Sequence, residues 1–412
     1  MKQKIAIIGS GISGLTCGYL LCNKFDIDVF ESNEYIGGHT NTVTVDNLNI
    51  DTGFIVFNNR NYPAFQKMLD KLGVEYKPTE MSLSVRNDAW NLEYNGNTIN
   101  SLFAQRSNIF KPKFLRLIYD ILKFNRLVKK NLNNDSYATL SQFLIKHKFG
   151  KWFTDGYILP MGSAIWSMGT TEVLDFPFDL FAKFFNNHGL LEIKNHPQWY
   201  TICGGSKNYI PKITANFTNN IHLNMKVVKV IRHSNNVELV FANGEIKFFD
   251  EVIFACHSNQ VLDILSNGTS DENHILKQIK YSTNEVILHT DTTLLPRKKL
   301  TYASWNYLIH NNSTHQATLT YNMNILQGLN TNKTYCVTLN SGNLIAPDKI
   351  LAKFIYEHPI YTKDAELAQK KWDTISGIDR LHYCGAYWHN GFHEDGVQSA
   401  LNVCKTLGVS FD

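Results

Sequence analysis

The chain has 412 residues, more than one small core accommodates, so two domains are expected. At 43% hydrophobic and 12% aromatic it reads as globular rather than disordered, and a net charge of +4 from 40 basic and 36 acidic side chains gives no reason to expect nucleic acid as a partner. The seven cysteines, at 17, 22, 203, 256, 336, 384 and 404, are scattered; they match neither a disulfide framework nor metal-ligand spacing and point to a reduced compartment.

The first apolar run, Ile5-Ala6-Ile7-Ile8, is broken at once by glycines and cannot form an export signal. No later run approaches the roughly 20 apolar residues that span a bilayer. A cytoplasmic protein is expected, with attachment to a membrane surface left open. Residues 4–8 read as a strand, 13–23 as a helix with Leu15, Tyr19 and Cys22 at helical spacing, and 27–30 as a second strand. Such a βαβ unit implies a parallel sheet. Residues 81–200 are aromatic and basic, with helices favoured over strands. Residues 206–217 read as a helix, 221–223 and 227–231 as strands, and 237–241 with 246–248 as a hairpin closed by Asn243-Gly244. A buried strand follows at 251–255. Alternation such as Thr318-Leu319-Thr320-Tyr321 favours antiparallel strands over 280–370, and the chain closes with a strand at 381–384 and a helix at 396–407.

Between the first strand and helix stands Gly9-Ser10-Gly11-Ile12-Ser13-Gly14, the spacing of a dinucleotide-binding turn. Gly9 permits the tight turn, Gly11 lets backbone approach a pyrophosphate, and Gly14 lets helix pack on strand. Ser13 opens the helix, whose N-terminal N–H groups and dipole favour phosphate. Glu31 ends the second strand, 22 residues after Gly9, where a carboxylate can accept from ribose hydroxyls. NAD and FAD share this turn, so it does not choose between them.

The choice comes from the next residues. Glu34-Tyr35-Ile36-Gly37-Gly38-His39 resembles the extension found in the superfamily of FAD-binding amine oxidases, protoporphyrinogen oxidases and phytoene desaturases. Asp51-Thr52-Gly53-Phe54, Cys203-Gly204-Gly205-Ser206, Asn224-Met225-Lys226-Val227 and Gly391-Phe392-His393-Glu394-Asp395-Gly396-Val397 resemble later motifs of the same superfamily. More narrowly, Thr52 to Asn58, Pro160-Met161-Gly162-Ser163-Ala164-Ile165-Trp166-Ser167 and Tyr383-Cys384-Gly385-Ala386-Tyr387-Trp388 are similar to a subfamily of bacterial NAD/FAD-binding proteins. The resemblance implies an α/β fold: a Rossmann-like FAD-binding domain of the GR2 type, at 1–80, 200–275 and 372–412, interleaved with an α+β substrate domain at 81–199 and 276–371.

It further implies non-covalent FAD. Gly37, Gly38, His39 and Thr40 would lie along the pyrophosphate, Gly53 and Phe54 along the flavin ring, and the Val227 backbone against adenine. Gly385, His393, Glu394, Asp395, Gly396 and Val397 would lie near flavin N1 and O2, where a helix N-terminus stabilises the charge of the reduced ring. Two positions depart from the superfamily. His39 stands where an arginine is usual, which removes a permanent charge and leaves backbone contacts. Ala386 stands where an acid that binds a ribityl hydroxyl is usual.

Flavin enzymes leave the hard chemistry to the cofactor, so no catalytic triad is expected, and none is found. His389 and Tyr387, in the loop before the closing helix, are the candidate catalytic residues. His257 is either a general base or a strand-end surface histidine, and His393 contributes mainly backbone. Trp166, Trp199, Trp305, Tyr307 and Tyr321 are either pocket walls or core. Residues 111–130 carry Lys111, Lys113, Arg116, Lys123, Arg126, Lys129 and Lys130 against Asp120, with Phe114, Leu117, Ile118, Ile121, Phe124 and Val128 at helical spacing. This is a helix for a membrane interface or a half-buried core helix. The function expected is an FAD-dependent oxidase, dehydrogenase or desaturase that takes hydride from an apolar small molecule, a lipid chain among the candidates, onto flavin N5. A flavin amine oxidase and a non-catalytic flavin-binding protein are the alternatives. No metal is expected, and the oligomeric state is left open.

Overall fold

A computed structural model describes residues 2–132, 137–166, 170–192, 196–310 and 317–411. At its centre the Lys4–Ile8 strand pairs in parallel with Asp26–Phe30 on one side and Glu251–Phe254 on the other; Ile221–His222 and Leu381–Tyr383 extend the sheet at its two edges, also in parallel. Ile5, Ala6 and Ile7 are fully buried because both faces of this sheet are covered, the usual fate of parallel strands. The chain leaves the central strand first to one side and later to the other. That reversal opens a crevice at the C-terminal ends of the strands, the place where α/β sheets bind ligands. The helix Ile12–Leu21 packs between this sheet and the closing helix His393–Thr406.

A three-stranded antiparallel sheet, Val227–Arg232, Val237–Phe241 and Ile246–Phe249, covers the other face, with Gly244 turning the hairpin at φ +86°. Phe30, Phe241 and Phe249 join the two layers. The second large sheet runs in the order Ile350–Ile360, Lys280–His289, Cys336–Leu339, Ala317–Asn322, Trp305–Ile309, Leu83–Asn87, Leu92–Asn95; its pairs are antiparallel except the one between Trp305–Ile309 and Leu83–Asn87. Helices including Pro112–Lys130, Leu140–Lys146, Leu159–Trp166 and Phe178–Asn187 build an aromatic core on Phe124, Phe143, Phe153, Phe178, Phe181 and Phe185.

Several expectations need correction. The 206–217 helix is broken into a 3-10 turn, Ser206–Tyr209, and a short helix, Ile210–Thr214, since Pro211 supplies no N–H and suits only a helix's first turn. The closing helix begins at His393 rather than 396. Residues 81–200 open with two strands, Leu83–Asn87 and Leu92–Asn95, before the helices. Their buried Val85, Leu92 and Tyr94 alternate too briefly to stand out from sequence.

Candidate active site

A single cavity of about 1620 Å³ begins in the crevice. Its lining includes the C-terminal ends of four parallel strands: Ile8 and Gly9, Phe30 and Glu31, Ala255 to His257, and Gly385. The glycine turn divides its labour as the spacing requires. Gly9 holds φ +107°, and a Cβ on Gly14 would stand 2.0 Å from the Gly9 carbonyl oxygen, so the helix can approach only there. At Gly11 a Cβ would meet nothing within 4 Å: the backbone faces open cavity. Gly11 is also the helix N-cap and brings no side chain to it, so the first-turn N–H groups are free to meet an anion. The Gly37-Gly38 pair closes on the turn, with Gly37 N–H donating to the Ser10 carbonyl at 3.1 Å and Gly38 lying against Gly11.

Glu31 lines the cavity but is not idle. Its Oε2 accepts from the backbone N–H and hydroxyl of Ser10, at 3.0 and 2.7 Å; its Oε1 accepts from Asn33 N–H and Nδ2, both at 2.9 Å. The carboxylate therefore shapes the turn as well as facing any ribose. Val227 lines the same end, beside Met225 and Lys226. Farther along, Gly53 must be glycine because a Cβ would stand 2.1 Å from the His39 carbonyl oxygen, and Phe54 N–H donates to that oxygen at 2.8 Å.

His393 departs from the sequence reading. Its ring stacks on Phe54 at 3.7 Å and 8°, and its Nε2 lies 3.0 Å from the Tyr209 hydroxyl, which in turn meets Thr40 Oγ1 at 2.6 Å. Burial lowers its pKa to about 3, so the ring is neutral. Gly391 and Phe392 line the cavity with it, whereas Glu394, Asp395, Gly396 and Val397, together with Gly14 and Thr40, lie outside the lining. Glu394 instead accepts from the N–H groups of Ala64 and Phe65 at 3.1 and 2.8 Å, satisfying the start of the helix Pro63–Lys71. Asp395 caps its own helix through Phe392 N–H at 2.8 Å. Gly396 lets that helix meet the first one, where Ser13 Oγ donates to its carbonyl at 3.0 Å, and Val397 is core. Tyr387 lines the cavity, its ring folded over Gly385, and burial raises its pKa well above normal. His389 lies outside the lining, made less basic by burial.

Beyond Tyr387 and Phe392 the wall turns apolar: Ile118, Ile121, Leu122, Met161, Ile165, Trp166, Phe184, Trp199, Trp305 and Tyr321. Of the five aromatics named from sequence, Tyr307 belongs instead to the core around Val85. Ser167 lies outside the described residues. The Pro112–Lys130 helix forms part of this wall. The apolar face recognised from sequence turns inward: Phe114, Leu117, Phe124 and Val128 are fully buried, and Ile118 and Ile121 face the cavity. Several of its basic residues are engaged, Arg116 with Asp120, Lys129 with Glu192, Lys111 with the Asn91 carbonyl and Lys123 with the His147 carbonyl. Sequence missed the outer face, where Leu115, Tyr119 and Leu122 are 46%, 53% and 48% exposed.

The donor set suits a dinucleotide. Open space at Gly11, an uncapped helix N-terminus, and sheltered polar atoms without partners on lining residues, among them His39 Nε2 and the Tyr361 hydroxyl, leave a polar track between Glu31 and Gly385. Fold and site together define a dinucleotide-binding protein with a substrate chamber of its own. The sequence profile of flavin-containing amine oxidoreductases matches residues 12–339, and the chain belongs to that family. It is an FAD-dependent oxidoreductase. Among curated proteins none matches the sequence. Solved structures resemble it in fold. A CLA-producing fatty acid isomerase from P. acnes is 13% identical with TM-score 0.69 over 98% of both chains. Cyclohexylamine oxidase from Brevibacterium oxydans is 13% identical with TM-score 0.70, over 99% of this chain and 100% of that one. Reduced UDP-galactopyranose mutase is 16% identical with TM-score 0.67, over 99% and 94%.

Proposed function

We propose that this flavoenzyme, of the bacterial NAD/FAD-binding subfamily it resembles, oxidises an apolar, chain-like substrate. The observation that carries this reading is the continuity of the cavity from the glycine turn into a chamber walled by Ile121, Met161, Ile165, Trp166 and Phe184. Its volume exceeds the roughly 300–1,000 Å³ of a single small-molecule site, which leaves room for a second molecule beside the cofactor. In this reading the domains divide as the resemblance implies, at 1–80, 200–275 and 372–412 for FAD and 81–199 and 276–371 for substrate.

Bound FAD supplies the hydride acceptor, N5 of its ring. The protein's part is to hold, orient and keep dry. The Gly9–Gly14 turn and Gly37-Gly38 hold the phosphates, Glu31 and Val227 the adenosine, and Phe54, braced by neutral His393, the ring. FAD is held non-covalently in this reading, as the resemblance implies. Of the two catalytic candidates, Tyr387 lines the cavity and is the one that would position the reacting carbon in this reading; His389, outside the lining, could act on it only through its neighbours. The exposed stripe Leu115, Tyr119 and Leu122 adjoins the chamber's wall, with outward Arg126 and Lys130 beside it and Phe110, 85% exposed, just before the helix. A chain delivered from a membrane surface would enter there, and the protein is proposed to be cytoplasmic and to rest on that surface. No described helix is long and apolar enough to cross a membrane.

An amine substrate is the second reading, favoured by Glu80 in the lining and by Trp305 and Tyr321, which meet edge-on at 5.8 Å. Titrating the flavin absorption band separates the two. Long-chain fatty acids should shift it in the wild type and fail to do so in Ile165→Asp, with FAD content unchanged. A shift by diamines alone, insensitive to Ile165→Asp, removes the apolar reading.

A further inference from the structure

Two phosphates need counter-charge, and the cavity offers almost none. Among the described residues its lining holds one lysine, Lys226, beside Val227 at the far end, and no arginine. What stands next to the glycine pair is a group of histidines. His39 follows Gly38 directly; its ring lies 5.5 Å from that of His358 and 6.1 Å from that of His257, and all three line the cavity. They come from three elements: the loop after Gly38, the turn that follows the Glu251–Phe254 strand, and the Ile350–Ile360 strand of the other sheet.

Each ring is oriented by a partner. Glu357 Oε2 lies 3.2 Å from His257 Nδ1, so that nitrogen carries the proton and the Nε2 of the neutral ring is a bare acceptor. Asn284 Nδ2 lies 2.9 Å from His358 Nδ1. The Glu357 backbone bonds to the His39 ring and favours its charged form, while His39 Nε2 has no partner at all. The other groups facing the cluster are His393 on the closing helix, Tyr281 stacked on His257, and Tyr356 at 5.0 Å from His39, with Asp51 beyond it. Without an anion the rings stay uncharged, since burial and mutual repulsion hold His39 at about 3 and His358 at about 4.

We propose that this histidine cluster is a proton-fed seat for the cofactor's pyrophosphate: binding draws a proton onto His39, with His257 and His358 sharing the charge, so that FAD affinity is linked to pH. The inference rests on FAD occupying the cavity. The sign follows from linkage. A ring neutral when free and protonated when bound makes binding tighter at low pH. The dissociation constant rises about tenfold per pH unit while one full proton is taken up, and levels off above the pKa of the bound state.

Diluting the flavin-loaded protein and following the rise of free-flavin fluorescence gives Kd at each pH from 5.5 to 8.5. The wild type should weaken by tens-fold across that range, the slope of log Kd giving the protons taken up. His39→Gln should bind at the wild type's high-pH affinity with a slope near zero. His39→Arg should bind more tightly than wild type at pH 8, also without slope. Riboflavin, which has no phosphate, should bind with no slope at all. A wild-type Kd constant within twofold over the range, or a slope that survives His39→Gln, overturns the proposal. Protein that carries no flavin and takes up none at any pH fails the flavin assignment instead, a distinct result. Thermal unfolding of each variant shows that it is folded.

Discussion

A single added side chain separates the roles of two of the turn's three glycines, Gly11 and Gly14. Gly11 sits at φ −68°, ψ 179°, a conformation any residue adopts, and a Cβ there meets no atom within 4 Å. Gly11→Val should therefore leave the folded protein within about 1 kcal/mol of wild type, the scale of a changed helix cap. The isopropyl group would nevertheless stand in the space left for the pyrophosphate. At FAD a hundredfold above Kd, wild type gains about 2.7 kcal/mol of stability by mass action, and Gly11→Val should gain none. Gly14→Ala should behave in the opposite way. Its Cβ would lie 2.0 Å from a backbone oxygen, so strand and helix must part, at a cost of roughly 3 kcal/mol or more before any cofactor is added. Denaturant unfolding of both variants and wild type, with and without FAD, reads all of these. The reasoning is refuted if Gly11→Val gains as much from FAD as wild type, or if Gly14→Ala is as stable as wild type without it.

Glu31→Ala should weaken FAD binding by about 1.5–3 kcal/mol, the worth of hydrogen bonds to a charged group, while the bound flavin spectrum stays as in wild type; titration followed by absorbance tests both. Glu394→Ala should lower unfolding stability by about 1–3 kcal/mol, because two buried N–H groups lose their acceptor, and differential scanning calorimetry measures it. Wild type should sediment with anionic vesicles and not with neutral ones. Leu115, Tyr119 and Leu122 changed to Ser, with Arg126 and Lys130 to Gln, should abolish this, each basic residue contributing roughly 1 kcal/mol; equal sedimentation of the variant removes the membrane route.

The nucleotide half was legible because its signals are local. A buried apolar run, three glycines at fixed spacing and an acid at the next strand end lie within residues 4–31, and each carries its own geometric demand. The 206–217 segment was misread although Pro211 marked its break. Roles that depend on distant partners left no such trace. Glu394 looked like part of a flavin-facing helix start, yet its partners, Ala64 and Phe65, lie 330 and 329 residues away. His257 read as either base or surface, and His358 drew no notice. Only the fold brings them to His39, across two sheets. On the Pro112–Lys130 helix, periodicity found the face that is buried. The outer stripe of Leu115, Tyr119 and Leu122 was masked because basic residues are interleaved with it.

Anaerobic mixing of the flavin-loaded protein with a long-chain fatty acid, and separately with a diamine of matched length, tests the central claim most directly. Loss of the oxidised flavin band with the fatty acid, slowed at least tenfold by Ile165→Asp, is the expected result. Bleaching by the diamine alone, at the same rate in the Ile165→Asp variant, would contradict it.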